Sequence, residues 1–261
     1  MRALLNLALL AALASCVPQA PAGPPVVLIT VAGVGSPGVL RAMDDGRVIP
    51  ITADETRSGW DLLAALQLGD EPPAPDPSGF QRIPGERTTL LEVFTTAGLE
   101  TAAFLEGPGQ TEESGLFQGA FHTLDGPTLA LAAEDDAEVM ATEEALDFVA
   151  GKLPRPNEDA PCVWLHLEHG ELALEEAQAR FGDVWSRTLD LLGDRPDALI
   201  VALALPTETL PAAAVFFGAG TLPSRGGIPM GLVDLTSTIA GLAGLEHEFP
   251  AGEDRSEELS R

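Results

Sequence analysis

The sequence predicts an α/β protein of three layers, α/β/α, in which helices cover both faces of a mostly parallel central sheet. Short apolar runs alternate along the chain with longer stretches in which apolar residues recur at helical spacing. Most of the apolar runs are continuous, which is typical of strands that are covered on both faces. Strands that alternate with helices in this way form parallel sheets, and such sheets place binding sites at the carboxyl ends of their strands.

Six short apolar runs are the predicted strands, and four longer stretches are the predicted helices. The first helical stretch reaches Gly98, a residue type that commonly follows the last turn of a helix. The predicted strands are residues 26–31, 47–52, 100–105, 162–167, 198–205 and 212–218, and the predicted helices are residues 86–99, 134–152, 171–194 and 231–245.

The first sixteen residues have the pattern of an export signal. Arg2 is followed by an apolar run over residues 3–13 and by small residues before Cys16. The run is too short to cross a bilayer, which fits a secretory signal peptide. The motif Leu13-Ala14-Ser15-Cys16 resembles the bacterial lipobox, and this implies that Cys16 carries a lipid and begins the mature protein. The alternative is an ordinary signal peptide that contains a cysteine.

These features divide the chain into three parts. Residues 1–15 are a predicted lipoprotein signal peptide, residues 16–24 a proline-rich tether, and residues 25–261 one α/β domain. Val17 and Pro18 lack the aspartate that marks inner-membrane retention in many Gram-negative lipoproteins. The lipobox resemblance therefore implies a lipid-anchored protein of the bacterial cell envelope, exported to the outer membrane where there is one.

The chain is strongly acidic. Fourteen lysine and arginine residues against forty aspartate and glutamate residues give a formal net charge of −26. This charge repels the phosphate backbone, so we expect no nucleic-acid partner. It also gives no attraction for anionic sulfate or phosphate esters.

Cysteine usage is sparse for an exported protein. Cys162 is the only cysteine besides Cys16, so a lipid on Cys16 leaves no partner for an intramolecular disulfide. Cys162 lies within an apolar run, which predicts a buried thiol rather than a nucleophile.

Three glycines after the first strand raise the alternative of a dinucleotide-binding loop. Gly33, Gly35 and Gly38 satisfy G-x-G-x-x-G, and Asp54 lies near the place of a ribose-binding acid. However, the segment between this strand and the next is short and is interrupted early by Pro37. We favour a tight turn between secondary-structure elements over a cofactor loop.

Seven segments, in chain order, resemble the alkaline phosphatase/sulfatase superfamily. Together they cover nearly all of residues 24–258, and they imply the three-layer fold of that superfamily. The segments are PPVVLITVAGV, LAALQLGDEP, TLLEVFTTAGLETAAFL, FQGAFHTLDGP, ALDFVAGKLPRPNEDAPCVWLHLEHG, LPAAAVFFGAGTLPSRGGIPMGLVDLTSTIAGLAGL and GEDRSEEL.

Members of that superfamily hydrolyse sulfate or phosphate esters with bound divalent cations and a nucleophile, and several matching positions differ here. The resemblance implies acidic metal ligands where Ala32 and Gly33 stand, and a nucleophile at Gly59. It implies Asp-His-Gly at residues 205–207, which are Leu-Pro-Thr, and a lysine where Glu106 stands. Hard cations need carboxylate or histidine ligands, so we expect no bound metal, no cofactor and no catalytic residue.

One strand end keeps the superfamily's residue types. HLEHG resembles the strand end where an acid and a histidine face the substrate, which Glu168 and His169 match. With Ser58 they form a predicted remnant pocket. His166 and His169 would point to opposite faces of a strand, so His166 is predicted to be a packed or hydrogen-bonded histidine.

Three functional hypotheses follow. The first is a sulfatase-like lipoprotein without catalysis that acts as a binding or scaffolding module, held at the membrane by its lipid, with a protein or glycan partner. The resemblance also implies a C-terminal subdomain, which we expect this chain to lack. The second hypothesis is an active ester hydrolase with Ser58 or Thr56 as nucleophile and Asp54, Asp61, Glu168 and His169 as new metal ligands. The third hypothesis is a dinucleotide-binding enzyme.

Overall fold

The computed structural model of the protein describes most of the chain after the predicted tether. The predictions for Cys16, Gly35, Gly38, Asp54 and Thr56 lie outside the described residues. The described ranges are 23–34, 46–53, 57–107, 110–132, 137–152, 160–169, 172–192, 194–207, 209–222, 224–225 and 229–260.

The described strands form one mixed sheet. They are β1 (Val26–Ala32), β2 (Arg47–Thr52), β3 (Glu100–Leu105), β4 (His122–Leu124), β5 (Pro161–Glu168), β6 (Leu199–Ala204), β7 (Ala212–Gly218), β8 (Ser224–Arg225) and β9 (Met230–Gly231). Their order is β4-β3-β5-β1-β6-β7-β2-β8, and β9 also pairs with β2. Among these strands only β7 runs antiparallel to its neighbours. The mostly parallel sheet and its six long strands are therefore confirmed, with ends that differ by a residue or two.

The described helices are α1 (Gly59–Leu68), α2 (Leu90–Thr96), α3 (Gly126–Ala132), α4 (Ala137–Lys152), α5 (Leu174–Leu192), α6 (Leu232–Leu242) and α7 (Ser256–Leu259). The four helices predicted from spacing are present but shorter, and α3 and α7 were not predicted. None of the helices in the described ranges combines the length and hydrophobicity that a membrane span requires.

Local capping explains why α2 begins four residues later than predicted. Thr89 Oγ1 accepts a hydrogen bond from the Glu92 amide at 3.2 Å, and the Glu92 carboxylate accepts one from the Thr89 amide at 3.0 Å. This reciprocal pair satisfies backbone donors that the first turn of a helix leaves without partners. The chain before Thr89 is therefore outside the helix.

Helices cover both faces of the sheet. On one face, Leu28 and Val201 pack with apolar residues of α1, α2 and α6. On the other, Ile29 and Ile200 pack with apolar residues of α3, α4 and α5. Alternate residues of each strand point to opposite faces, so each central strand contributes to both cores. The predicted three-layer α/β/α architecture is confirmed.

A buried hydroxyl links β1 to β5 on the first of these faces. Thr30 pairs with His166 in the parallel register, and Thr30 Oγ1 lies 2.9 Å from His166 Nδ1. Trp164 Nε1 donates to the same oxygen at 3.0 Å. Because the indole N–H can only donate, the Thr30 oxygen accepts from Trp164, and it forms a second hydrogen bond with His166 Nδ1. His166 is thus a hydrogen-bonded strand histidine, as predicted.

One end of the sheet is closed by an ionic cluster that sequence analysis did not identify. The Glu100 carboxylate lies 2.7 Å from Lys152 Nζ and 3.1 Å from His122 Nε2, which joins β3, α4 and the edge strand β4. Burial opposes ionisation of Glu100, but the hydrogen bonds from Lys152 and His122 hold its pKa below the ordinary value. His122 begins β4, a strand too short to produce a periodic pattern in the sequence.

Gly126 and Gly182 make a matched test of backbone packing. A Cβ on Gly126, at the start of α3, would lie 1.9 Å from the carbonyl oxygen of Gly107, whereas one on Gly182 in α5 would meet nothing within 4 Å. We expect Gly126→Ala to lower the free energy of unfolding by about 1–3 kcal/mol. Gly182→Ala should raise it by up to about 1 kcal/mol, because alanine favours helix. Urea unfolding measures both, and equal effects would contradict the close approach.

Thr30 tests the buried hydroxyl. Thr30→Val keeps the side-chain volume but leaves Trp164 Nε1 and His166 Nδ1 without their partner. Each buried unpaired group costs about 1–3 kcal/mol, so the free energy of unfolding should fall by about 2–4 kcal/mol. Thr30→Ser keeps the hydroxyl and loses one methyl group, so a fall of about 1 kcal/mol is expected. A valine variant as stable as the serine variant in urea unfolding would refute the role of the hydroxyl.

Candidate functional site

The carboxyl ends of β3, β5, β1 and β6 meet at one edge of the sheet, the carboxyl edge. Backbone hydrogen bonds fix its members: Glu106 N donates to His166 O at 3.0 Å, and His169 N to Ala32 O at 3.3 Å. On the far side of β1, Leu205 N donates to the carbonyl of Val31 at 2.9 Å. The positions that the superfamily resemblance singled out after four separate strands therefore do lie side by side.

The end of β1 carries no side-chain oxygen. Ala32 is the last residue of the strand, and Gly33 follows with φ of 78°. This left-handed conformation favours glycine. The backbone therefore suits Gly33, which stands at the second of the two positions where the resemblance implies an acidic ligand. Leu205, at the end of β6, is buried and offers only carbon atoms.

The ends of β3 and β5 carry two carboxylates. The backbone amide of Glu168, the last residue of β5, donates to Glu106 Oε2 at 2.8 Å. The side chain that follows β3 is thus hydrogen-bonded to the end of β5. Glu106 is mostly buried, whereas the Glu168 side chain keeps 37 % of its surface exposed. The resemblance implies a lysine at residue 106, and this chain has the acidic residue Glu106 there instead.

His166 faces Glu168 from inside the sheet. Its Nε2 lies 3.9 Å from Glu168 Oε2, on the ring side opposite to the Thr30 hydroxyl. Nδ1 is bonded to the Thr30 hydroxyl, so Nε2 is the ring nitrogen nearer to the carboxylate. The polar chain Trp164–Thr30–His166–Glu168 thus runs from the buried core to the exposed carboxyl edge.

His169 lies at the same edge with its ring buried. Its backbone amide bonds to Ala32, and its carbonyl accepts from Leu172 N at 3.0 Å. The ring has only 1 % of its surface exposed. Of the predicted remnant pocket, the structure therefore brings Glu168 and His169 to one strand end, with Glu168 the more accessible of the two.

Ser58 caps a helix. Its Oγ accepts from Asp61 N at 3.2 Å and donates to Asp61 Oδ2 at 2.7 Å, which makes it the N-cap of α1. The other oxygen of Asp61 accepts from Gln81 Nε2 at 2.7 Å. Both side chains already serve the start of α1. Gly59, at the matching position of the nucleophile, is the first residue of that helix.

Gln110 is a site residue that sequence analysis missed. It is 5 % exposed, and within the described part of the chain its Oε1 has no hydrogen-bond partner. Its Nε2 lies 3.3 Å, and Glu168 Oε2 3.6 Å, from the point where a Cβ on Gly107 would stand. We call Glu106, Gln110 and Glu168 around Gly107 the acidic pocket. A lone glutamine in a loop carries no periodic signal that would have identified it.

Two further observations bear on the chemistry of the described residues. No three histidine, cysteine, aspartate or glutamate side chains among them are grouped so that they could bind a metal ion. Cys162 is buried, and the loss of solvation raises the pKa of its thiol far above the ordinary value. A thiol in that state is an inert core group, as the sequence predicted.

A separate cleft of about 360 Å³ lies beside the starts of α1 and α6. Leu62, Leu232 and Val233 contribute to its largely apolar wall, and the ion pair between Arg57 and Glu71 stands at its rim. The acidic pocket is at the ends of β3 and β5, so the two are different features of the surface.

Comparison with known proteins relates this architecture to solved structures. No protein-family model matches the chain, and no curated protein matches it. A 2-O GAG sulfatase structure matches with a TM-score of 0.68 at 12 % identity, over 91 % of this chain and 74 % of that one.

Two other solved structures give a similar result. A protein in the alkaline phosphatase superfamily from Vibrio parahaemolyticus matches with a TM-score of 0.67 at 13 % identity, over 90 % of this chain and 71 % of that one. A phosphonate monoester hydrolase from Silicibacter pomeroyi matches with a TM-score of 0.66 at 11 % identity, over 91 % of this chain and 76 % of that one. The protein therefore has the fold of the alkaline phosphatase and sulfatase superfamily.

Proposed function

We propose that the protein is a sulfatase-like lipoprotein of the bacterial cell envelope that binds or scaffolds a protein or glycan partner without hydrolysing esters. The observation that carries this proposal is the set of side chains at the carboxyl edge. Ala32, Gly33, Leu205 and Pro206 stand where the resemblance implies cation ligands, and none of them has a side-chain oxygen or nitrogen. Calcium and magnesium bind through several converging oxygen ligands, which these positions do not supply.

The remaining groups at the edge also disfavour ester hydrolysis. A sulfate or phosphate ester carries negative charge, and at this edge it would lie near the acidic side chains of Glu106 and Glu168. A hydroxyl nucleophile needs a base or a metal to activate it. The Ser58 hydroxyl instead donates to Asp61 within a helix cap.

The position of the N-terminal chain is compatible with anchoring. Gly23 lies at the amino end of β1, where a Cβ on it would be 3.2 Å from Leu99 and 3.7 Å from the Ala243 carbonyl. The acidic pocket lies at the opposite end of the sheet, a strand length of roughly 20 Å away. A lipid on Cys16 would therefore hold the amino edge toward the membrane and leave the acidic pocket facing away from it. Val17-Pro18 favours the outer membrane as the site of anchoring.

Metal content tests the absence of catalysis. The protein, purified without chelator and supplied with calcium, magnesium, zinc and manganese, should contain less than stoichiometric metal by elemental analysis. It should not accelerate hydrolysis of aryl sulfates or aryl phosphates. A stoichiometric cation together with turnover would overturn the proposal in favour of the rearranged hydrolase. Loss of that turnover in Ser58→Ala or Thr56→Ala would then identify the nucleophile.

Metabolic labelling tests the anchor. In a bacterial host supplied with radiolabelled palmitate, the protein should take up label and fractionate with membranes, since a lipobox cysteine is acylated. Cys16→Ser should abolish the label and leave the unprocessed precursor. Cys162→Ala is the matched control, because that thiol is buried, and it should remain labelled. A Cys16→Ser protein that is still cleaved and released without lipid would instead support an ordinary signal peptide.

A further inference from the structure

We propose that the cleft beside the starts of α1 and α6 binds a leucine-type aliphatic side chain of a partner protein, together with the neutral amide groups on either side of it. This inference rests on the proposed function for the class of partner, a protein, and it adds a binding site that is separate from the acidic pocket. Three features of the cleft carry it: its place in the fold, its size and apolar wall, and the paired charges at its rim.

The cleft opens at the carboxyl edge of the sheet. β2 runs antiparallel to β7, and β7 runs antiparallel to β6, so β2 has the same direction as β6 and β1. Thr52 and Ala53 at the end of β2, and Gly231 at the end of β9, line the cleft. Open α/β sheets bind ligands outside the carboxyl ends of their strands. The cleft therefore lies where this fold places binding sites, in the other half of the sheet from β3 and β5.

The size and wall of the cleft suit one aliphatic side chain. Leu62 and Ala65 of α1 and Leu232 and Val233 of α6 contribute apolar surface to a volume of about 360 Å³. An apolar cavity of about 150 Å³ accommodates benzene, so on that scale the cleft holds roughly twelve non-hydrogen atoms. This is the size of a leucine residue with an amide group at each end. Moving an aliphatic group from water onto this wall is favourable in proportion to the apolar area covered.

The rim of the cleft carries paired charges. Arg57 and Glu71 are the charged residues among the described ones that line the cleft, and they form an ion pair with each other. The Arg57 side chain is 30 % exposed and that of Glu71 72 %, so the pair stands at the opening rather than on the floor. A guanidinium group only donates and a carboxylate only accepts, so the rim offers both kinds of partner with no net charge.

A peptide segment meets these conditions. Its amide groups have a carbonyl acceptor for the Arg57 side, an N–H donor for the Glu71 side and no charge. A carboxylate would be attracted by Arg57 and repelled by Glu71, and an ammonium group would meet the opposite pair of forces. The aliphatic side chain between the amide groups would cover the apolar wall. The cleft therefore favours the neutral member of a set of otherwise similar ligands.

The test is a titration of the full protein, with ¹³C-labelled leucine and valine methyl groups, in 150 mM NaCl at neutral pH. The probe is N-acetyl-leucinamide, and the readout is the methyl resonances of Leu62, Leu232 and Val233. We expect saturable shifts with a Kd on the order of 1 mM, as suits a ligand of this size. N-acetyl-leucine (an anion), leucinamide (a cation) and N-acetyl-alaninamide, which has the same amide groups with a single methyl, should each bind at least about fivefold more weakly.

Variants of the wall and of the rim separate the two contributions. Val233→Ala should weaken binding of N-acetyl-leucinamide by about threefold or more, because apolar contact is lost. Glu71→Gln should leave that binding within about twofold but make N-acetyl-leucine bind at least as tightly, because Arg57 then lacks its counter-charge. Glu175→Gln removes the same charge from an exposed position on α5 and is the matched control, which should keep the ligand order unchanged.

Several results would overturn the inference. N-acetyl-alaninamide binding as tightly as N-acetyl-leucinamide would exclude recognition of the aliphatic group, and tighter binding of either charged analogue to the unmodified protein would exclude recognition of the neutral amide. An equal change of ligand order in Glu71→Gln and Glu175→Gln would refute the role of the rim pair. The ranking of the four ligands on the unmodified protein decides the question even if a variant is unstable. Failure here leaves the absence of hydrolysis standing when metal and turnover are absent, whereas metal-dependent turnover refutes the proposed function by itself.

Discussion

A single buried hydroxyl, that of Thr30, is the polar contact on which the arrangement of the central sheet depends. It lies on a largely apolar face of the sheet and is hydrogen-bonded to both Trp164 and His166 of the neighbouring strand. A shift of one residue between β1 and β5 would turn these groups to the other face and leave three polar atoms buried without partners. The hydroxyl therefore specifies the register, and the register places Ala32 beside Glu168 at the carboxyl edge.

The fold and the chemistry of its edge respond to different physical requirements. The core needs apolar side chains of suitable volume on both faces of the strands, and many sequences satisfy that need. This explains how a TM-score of 0.68 coexists with 12 % identity. The carboxyl edge needs particular oxygen and nitrogen atoms, and a few substitutions there change what it can bind. Ala32 and Glu106 differ in this way from the residue types that the resemblance implies, while the strands that carry them keep their places.

Sequence reasoning recovered the features that repeat along the chain. Continuous apolar runs identified most of the six long strands because a strand buried on both faces has no polar alternation. In contrast, β8 and β9 have only two residues each and produce no pattern. The start of α2 was predicted too early because the capping pair of Thr89 and Glu92, rather than spacing, decides where that helix begins.

Only some residues of the candidate site could be predicted from the sequence, because the others depend on tertiary packing. Glu168 and His169 follow directly from a strand end, so their location could be predicted. Ser58 was identified because it adjoins Gly59, where the resemblance implies the nucleophile. Gln110 could not be found in this way, because its place beside Glu168 results from the packing of a loop against the start of α3. The role of Ser58 as a cap required the position of the Asp61 side chain, which spacing alone does not give.

The shortness of the outermost strands has a consequence for how copies of this protein meet. β4 has three residues and β8 has two, so each side of the sheet exposes few backbone groups with which another chain could pair. The proposed lipid anchor would confine the copies to two dimensions, where they would collide more often than in free solution. The formal net charge of −26 would make the copies repel one another before their sheet edges met. Short edge strands and charge would then act together against aggregation of anchored copies.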